Sequence, residues 1–249
     1  MRTMFAVAIV SCSLAAGAAA GTFEGTLEFT DKNCHKVAKC VLKSPFGFVD
    51  SNGVGWQAPK GQWTNGASIP PELQPYFGSP FDADLVRAAV IHDHYCDPDY
   101  LGRAGYVKSW LDTHWVFYDA LLASGVAASR AELMYVGVLM GGPKWIWLVE
   151  GKPCPVGRNC TQQVATAALP PGGSVKKYEK GETALLRPAR YKDSEFAKEM
   201  EKAAAALKAK GEKKLSRVEL EALAKSIRPG DPFLNGPEMI ARPQIGIVE

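Results

Sequence analysis

The hydrophobic pattern of this chain changes period once, and that change limits the folds it can adopt. Residues 22–29 alternate polar and apolar side chains, as a half-buried strand does, and short apolar stretches follow up to residue 58. From residue 79 to residue 141, apolar side chains recur every three or four residues, the period of an amphipathic helix. Strands followed by helices predict an α+β fold, with a small antiparallel N-terminal sheet packed on a three-helix unit and a helical C-terminal tail.

The three predicted helices carry recognisable start and stop signals. The first begins after an N-cap serine, Ser79, and ends at residues 97–99, and the second covers about residues 106–123. The third opens with a capping box from Ser129 to Glu132 and ends in a pair of glycines.

The first 20 residues have the features of a secretory leader. Arg2 supplies a positive start, an apolar run follows, and three alanines form a small-residue cleavage pattern before Gly21. The alternative is a lipoprotein cleavage box that ends at Cys12 and would acylate it. Either pattern predicts export, to the periplasm or out of the cell. No other apolar run is long enough to cross a bilayer, so we expect no transmembrane span after leader removal.

The charge balance is not that of a nucleic-acid-binding protein. The net charge is +3, and it falls to +2 when the leader takes Arg2 with it. Nucleic-acid-binding domains carry dense patches of Lys and Arg. Residues 176–249 hold 16 basic and 12 acidic side chains. This tail either contacts an anionic component of the cell envelope or is a solvated helical surface.

Export makes disulfides permissible, and five cysteines remain after leader removal. Cys34 and Cys40 are six residues apart, and so are Cys154 and Cys160. Two short bridges are therefore the simplest pairing, and crosswise bridges between the two pairs are the alternative. The remaining thiol, Cys96, is either a buried apolar side chain or part of a site.

Composition divides the chain into four parts. Residues 1–20 form the leader, residues 21–150 the α+β domain, residues 151–190 a disulfide-tied loop and linker, and residues 191–249 a helical basic tail. The apolar stripes of the tail are thin, which favours helices that pack on the body or lie loosely in solution over a second domain.

His92 and Asp93 lie on the apolar side of the first helix, where titratable side chains are rare unless they are paired, bound to a metal or used in catalysis. His114 lies on the apolar face of the second helix and can oppose His92 if the two helices are antiparallel. Successive helical residues point about 100° apart, so Asp93 faces a different direction from His92. These three residues are the predicted catalytic groups.

Two metals suit these residue types. His92, His114 and either Asp93 or Cys96 can bind zinc, with water as the fourth ligand. Alternatively, Asp93 and backbone carbonyls can hold calcium beside a histidine base. The candidate cofactors are therefore zinc and calcium.

Without a metal, His92 can be a general base that activates water, oriented by Asp112 or Asp119 of the second helix. The loop before the first helix supplies Asn65 and Ser68 as the predicted substrate-binding side. This loop lacks the Gly-x-Ser-x-Gly form of a nucleophile elbow, so we expect the Ser68 hydroxyl to brace the loop.

Three segments, in this order, resemble a bacterial and phage family known as domain of unknown function 1353. They are the loop Trp63–Pro70, the helical segment Ala88–Asp93 and the helical segment Phe117–Leu121, and the resemblance covers about residues 53–147. It implies a compact α+β unit and specifies no activity.

Two positions depart from the pattern of that family. The resemblance implies Asp where Asn65 stands, and an Ala-Asp pair where Thr113 and His114 stand. Both changes replace a carboxylate. If those acids serve a metal or a catalytic dyad in relatives, this chain has either exchanged them for nitrogen ligands or lost the activity.

The leading hypothesis is therefore an exported hydrolase that acts on a cell-envelope component through His92, Asp93 and His114. The alternative is a non-catalytic envelope or host-interaction protein in which the same residues form a buried polar network. Ring nitrogens of His92 and His114 within about 4 Å, in a pocket that solvent reaches, would favour a metal or catalytic site. Rings sealed beneath Trp110 and Trp115 would favour the structural role.

Overall fold

The computed structural model describes residues 21–96, 108–148, 174–177 and 183–235. Its N-terminal part consists of short antiparallel strands: β1 (Thr22–Glu24), β2 (Cys40–Val41), β3 (Phe46–Val49), β4 (Gly55–Ala58) and β5 (Trp63–Thr64). β1, β3 and β4 form one sheet in that order, and β2 pairs with β5. The period-two pattern in β4 buries every second side chain, which turns one face of the sheet toward the helices.

The helices that follow are α1 (Gln74–Phe77), α2 (Ala83–Cys96), α3 (Trp110–Ala123) and α4 (Ala128–Gly141). The sheet packs on α2, where the ring of Trp56 meets the edge of Tyr95 with their centroids 4.9 Å apart. The Tyr95 hydroxyl also accepts a hydrogen bond from the Gln57 amide at 3.0 Å. The predicted α+β class, with a small antiparallel sheet against three helices, is confirmed.

The helix caps differ in part from the predicted ones. α2 begins at Ala83, one turn after the predicted start, and α3 is capped by Ser109, whose hydroxyl accepts from the Asp112 amide. The capping box predicted at the start of α4 does not form. Glu132 is buried and accepts a hydrogen bond from the Leu215 amide at 2.8 Å instead, because a distant segment offers it a buried donor.

A third antiparallel sheet follows α4, with β6 (Lys144–Leu148) paired to β8 (Thr183–Arg187) and β8 paired to β7 (Ser174–Lys177). Two strands thus lie in the segment 151–190 for which the sequence predicts a loop and linker. β8 pairs with β6, which directly follows α4. The Gly- and Pro-rich composition of the segment 151–190 contains no signal for that pairing. Cys154 and Cys160 lie outside the described residues, and their predicted bridge stays a prediction.

The C-terminal helices α5 (Phe196–Ala209) and α6 (Arg217–Ile227) pack against α4. The thin apolar stripe of α5 is buried at Phe196, Met200, Ala203 and Leu207. A Cβ at Gly137 of α4 would lie 3.1 Å from the end of the Met200 side chain, so α5 approaches α4 closely at this glycine.

Buried charges join the sheet of β6, β8 and β7 to the C-terminal segment. Asp231 accepts from Arg187 at 2.6 Å and lies 3.9 Å from the Lys144 ammonium, and all three side chains are at most 3% exposed. Beside them, Arg228 donates to Glu199 and to the Met140 carbonyl. Within the described part of the chain, Nε and Nη2 of Arg187 have no hydrogen-bond partner.

Burial lowers the pKa of Lys144 well below its ordinary value, and the neighbouring Arg187 lowers it further. Burial opposes the ionisation of Asp231. The adjacent cations Lys144 and Arg187 outweigh that effect and lower the pKa of Asp231. Cations therefore dominate the local field of this buried cluster.

Among the described helices, none has the length and apolar character needed to cross a membrane. The predicted leader, residues 1–20, lies outside the described residues.

Candidate functional site

Two histidines and a cysteine converge between α2 and α3. His92 and Cys96 lie one turn apart on α2, and His114 faces them from α3. Nε2 of His92 is 2.9 Å from Nδ1 of His114 and 3.4 Å from Sγ of Cys96. The three ligand-type atoms all lie within 4.8 Å of one another. We refer to His92, Cys96 and His114 below as the His-Cys-His cluster.

The environment of His114 specifies which of its nitrogens faces the cluster. The side chain is fully buried, and its Nε2 is 3.1 Å from the Pro143 carbonyl oxygen, which can only accept. Nε2 therefore donates its proton there, and Nδ1 presents a lone pair toward His92. Burial lowers the pKa of His114 well below its ordinary value, and the nearby His92 and Lys144 lower it further, so His114 is neutral.

Gly142 allows this arrangement because it leaves no side chain between α4 and the His114 ring. A Cβ at Gly142 would lie 2.4 Å from the Val138 carbonyl oxygen and 2.8 Å from Nε2 of His114. Both distances are shorter than real contacts, so any side chain here displaces either the end of α4 or the ring.

We expect Gly142→Ala to lower the free energy of unfolding by about 2–3 kcal/mol, since crowding a packed interior costs about that much. Urea denaturation measures the loss. The matched control is Gly55→Ala in β4, where a Cβ meets nothing within 4 Å. Equal stability of the two variants would contradict the close approach of Gly142 to His114.

Asp93 lies outside the His-Cys-His cluster. Its Oδ2 accepts a hydrogen bond from the Thr64 hydroxyl at 2.5 Å, and its Oδ1 is 3.7 Å from Nδ1 of His92, the nitrogen opposite the one near His114. The Thr64 hydroxyl also accepts from the Gly66 amide at 3.0 Å. Asp93 therefore ties the loop 64–68 to α2 and stands on the other side of the His92 ring.

The two acids predicted to orient His92 are engaged elsewhere, which corrects that hypothesis. Asp119 is buried and accepts from the Ser51 amide at 2.6 Å. Asp112 caps α3 through Ser109 and pairs with Arg217 at 2.9 Å. Both carboxylates serve contacts between segments, and the ring of His114 fills the position beside His92.

A cleft with about 540 Å³ of empty space, part of it open to solvent, reaches this site. His92 and Asp93 line it, and so does Ser68 of the predicted substrate-binding loop. Asn65 is exposed and is not one of the lining residues, although the Ser68 hydroxyl donates to its side-chain oxygen at 3.4 Å. Tyr191, which follows β8, closes part of the wall. Burial raises the pKa of Tyr191, and the charges of Cys96 and Asp93 raise it further.

The structure shows part of the geometry expected of a metal or catalytic site and part of the geometry expected of a structural role. The ring nitrogens of His92 and His114 are well within 4 Å, and His92 reaches the cleft. His114, in contrast, is sealed beneath Trp110, with their centroids 5.5 Å apart, and Trp145 lies on it at 6.4 Å. Trp115 packs instead on Tyr118.

Sequence reasoning missed three contributors to the site. The Thr64 hydroxyl and the Pro143 carbonyl orient Asp93 and His114, and Tyr191 arrives from the segment after β8. From the sequence alone, Cys96 is either a buried thiol or a site residue. Its spacing of four residues from His92 indicates the second role, since that spacing puts both on one helical face.

The predicted disulfide and the two remaining histidines do not line the cleft. Cys34 and Cys40 are bonded to each other with an S–S distance of 1.95 Å, as their spacing predicts. His94 is buried with its Nδ1 2.8 Å from the Gln62 side-chain oxygen, and burial lowers its pKa to about 4. His35 is exposed.

Comparison with known proteins finds relatives that are themselves uncharacterised. The chain is 46% identical over 148 residues to "Uncharacterized protein y4iH" of Sinorhizobium fredii (strain NBRC 101917 / NGR234), a match that covers 59% of this chain and 57% of that protein. It is 36% identical over 127 residues to "Uncharacterized protein y4jT" of the same strain, covering 48% of this chain and 36% of that protein. The chain thus spans little more than half, or less, of the length of these relatives.

No solved structure matches the chain significantly. The family model described as "Protein of unknown function (DUF1353)" matches residues 40–138. That range includes His92, Cys96 and His114, together with the loop that lines the cleft. The resemblance seen in the sequence is therefore confirmed over residues 40–138, the part of the chain that carries this site.

Proposed function

We propose that this protein is an exported, metal-dependent hydrolase in which His92, His114 and Cys96 hold a zinc ion that activates water against a cell-envelope component. The observation that carries the proposal is the convergence of the three ligand-type atoms within 4.8 Å, in a cluster whose His92 also borders an open cleft. Two nitrogens and a sulfur suit zinc. Calcium prefers six to eight oxygen ligands, so this set favours zinc over calcium.

The ligand geometry supports this assignment. Two nitrogens bound to one tetrahedral zinc at about 2.0–2.1 Å are roughly 3.3 Å apart. The 2.9 Å separation of the two ring nitrogens therefore needs to widen by only a few tenths of an ångström. The Pro143 carbonyl already holds the proton of His114 on the far nitrogen, which is the usual outer-shell arrangement of a metal-binding histidine.

Three protein ligands leave the fourth position of a tetrahedral zinc for water. A zinc ion held there would lower the pKa of that water toward 7. Asp93 lies on the other side of the His92 ring, with its Oδ1 3.7 Å from Nδ1 of His92, where it would orient this ligand as an outer-shell carboxylate. The activated water would add to a substrate carbonyl carbon as the bond to the leaving group breaks, and its proton would pass to the leaving group.

Export is proposed from the leader-like residues 1–20 and is supported by the Cys34–Cys40 disulfide. Disulfides persist in oxidising compartments such as the periplasm and are rare in the cytosol. An envelope component is then the substrate within reach of an exported hydrolase.

Metal analysis tests the proposal directly. Protein purified from the periplasm should carry about one zinc per chain, and Cys96→Ser and His114→Ala should bind zinc at least about 100-fold more weakly, since even outer-shell changes cost 10–100-fold. His35→Ala, a change at an exposed histidine, should leave the zinc content unchanged. Protein that holds no zinc after purification and binds none when zinc is added would overturn the metal site.

A second candidate function rests on the burial of His114. The 2.9 Å contact is also the length of a hydrogen bond, and His114 lies beneath Trp110 with no exposed surface. A non-catalytic envelope or host-interaction protein would keep the histidines as a buried polar network that stabilises the packing of α2 on α3. This role predicts zero zinc in the wild type together with a large loss of stability in His114→Ala.

A further inference from the structure

The cleft beside His92 and Asp93 has apolar walls. Its described lining residues come from the loop 66–70, from α4 at Met134, Gly137 and Val138, and from α5 at Phe196 and Met200. The remaining wall residues are mostly aliphatic or aromatic, and no lysine or arginine is among those that line it. A phosphorylated or acidic ligand would find no cation inside, because such ligands are recognised by Arg and Lys.

The polar groups of the cleft lie close together. His92 and Asp93 are adjacent on α2, and Asp93 is bound through Thr64 to the loop that carries Ser68. A ligand with an apolar body and one polar group would therefore meet its hydrogen-bonding partners at the proposed catalytic residues and hydrocarbon elsewhere.

Two methionines, Met134 and Met200, give these walls an adaptable shape, because the unbranched thioether side chain fills irregular gaps. A flexible hydrocarbon chain is the ligand that such a surface accommodates. A sugar ring would leave its hydroxyls without partners along most of the wall, at a cost for each unpaired group.

We propose that the cleft binds a single acyl chain, with its carbonyl at His92 and Asp93, so that the substrate class is an acylated envelope component. The placement of the carbonyl rests on the proposed hydrolase function. The binding of the chain itself rests on the apolar walls alone and can be measured without the metal.

Binding of neutral 1-alkanols to metal-free protein tests the inference, since an alcohol mimics the chain without a charge that Asp93 would repel. Isothermal titration calorimetry with 1-hexanol, 1-octanol and 1-decanol should show affinity that rises with length, by up to about fourfold for each buried methylene. The heat-capacity change on binding should be negative, which marks the burial of apolar surface.

Matched substitutions locate the binding. Val138→Phe fills the cleft from α4 and should weaken 1-decanol binding at least tenfold, and Val138→Thr, which adds a hydroxyl at nearly constant size, should weaken it severalfold. The same two changes at Val218, which is 75% exposed on α6, should have no effect. Circular dichroism establishes that each variant is folded, and Val138→Thr keeps the test decisive if the larger side chain impairs folding.

Affinity that does not depend on chain length, or tight binding by both folded Val138 variants, would overturn the acyl-chain inference. Length-dependent binding by a protein that never binds zinc would support the inference and overturn the proposed hydrolase. If both hold, hydrolysis of 1-decanoylglycerol but not of N-decanoylglycinamide identifies a lipid ester as the source of the chain, and the reverse identifies an acylated amine.

Discussion

Asp231→Asn is expected to lower the free energy of unfolding by about 3–5 kcal/mol, the largest loss of stability that we expect from one substitution in this chain. The Asp231 carboxylate lies between Lys144 and Arg187, all three of them buried at the junction of β6, β8 and the segment after α6. An amide in its place leaves two buried cations without an anion. Removing one member of a buried ion pair costs this much because the remaining charge stays desolvated.

The same residue predicts part of the acid sensitivity of the protein. Lys144 and Arg187 lower the pKa of Asp231 in the folded state in spite of its burial. The folded protein therefore binds fewer protons at this residue than the unfolded chain does. The stabilisation is fully present above the ordinary pKa of 3.8 and is lost as pH falls through the lowered folded value. Asp231→Asn should remove this contribution from the acid limb of the stability profile.

Urea denaturation between pH 3 and pH 7 measures both effects. The matched control is Asp84→Asn, which removes the charge of an aspartate that pairs with Arg130 and is 35% exposed. Surface pairs contribute at most about 1 kcal/mol, so this variant should stay close to the wild type. If Asp231→Asn were as stable as Asp84→Asn at pH 7, the buried cluster would not be needed to hold the C-terminal segment.

The contrast between two capping boxes explains which parts of the fold could be predicted. The Ser216–Glu219 pair forms its box, with the serine hydroxyl and the glutamate each bound to the other's backbone. The Ser129–Glu132 pair has the same spacing, and Glu132 is instead drawn to the Leu215 amide 83 residues away. Both local patterns were correct signals for a helix. The side-chain contact itself could be predicted only for Ser216 and Glu219, because among the described residues no distant backbone donor competes for that glutamate.

In the candidate site, too, residue spacing predicts some features, and others depend on contacts with distant segments. The helical period brings His92 opposite His114 and sets Cys96 one turn from His92, so the cluster could be anticipated from spacing. The proton on His114 is held by the carbonyl of Pro143, and a backbone acceptor leaves no trace in residue types. Tyr191 reaches the cleft only after β8 has paired with β6, a pairing between distant segments that local composition does not encode.

The residue type at position 114 bears on which metal this geometry would prefer. The resemblance implies an acid at position 114, and here a neutral His114 presents a nitrogen lone pair to His92. If relatives use a carboxylate there, the exchange shifts the preference of the site from oxygen-seeking cations toward zinc. In that case a nitrogen at position 114 is consistent with the zinc ligand set that we propose.

The largest effect on activity is expected from His92→Ala, which should lower kcat/KM for 4-nitrophenyl acetate by about 10³-fold relative to the zinc-loaded wild type. His92 supplies a ligand from the centre of the cluster, with Cys96 at 3.4 Å and His114 at 2.9 Å from the same nitrogen. Without it the water loses the metal that lowers its pKa. The acetate ester is chosen because it has no long chain, so the result does not depend on the apolar walls.

Two further variants assign the remaining roles in the same assay. Asp93→Asn should lower kcat/KM by about 10–100-fold, as expected of a carboxylate that orients a metal-binding histidine from outside the ligand set. Ser68→Ala should change kcat/KM by no more than a few fold, because its hydroxyl braces Asn65 rather than attacking substrate. A loss of 10³-fold or more in Ser68→Ala would instead identify a serine nucleophile. Activity retained in His92→Ala, with His35→Ala as the control for exposed histidines, would rule out catalysis by the His-Cys-His cluster and leave the buried polar network as its role.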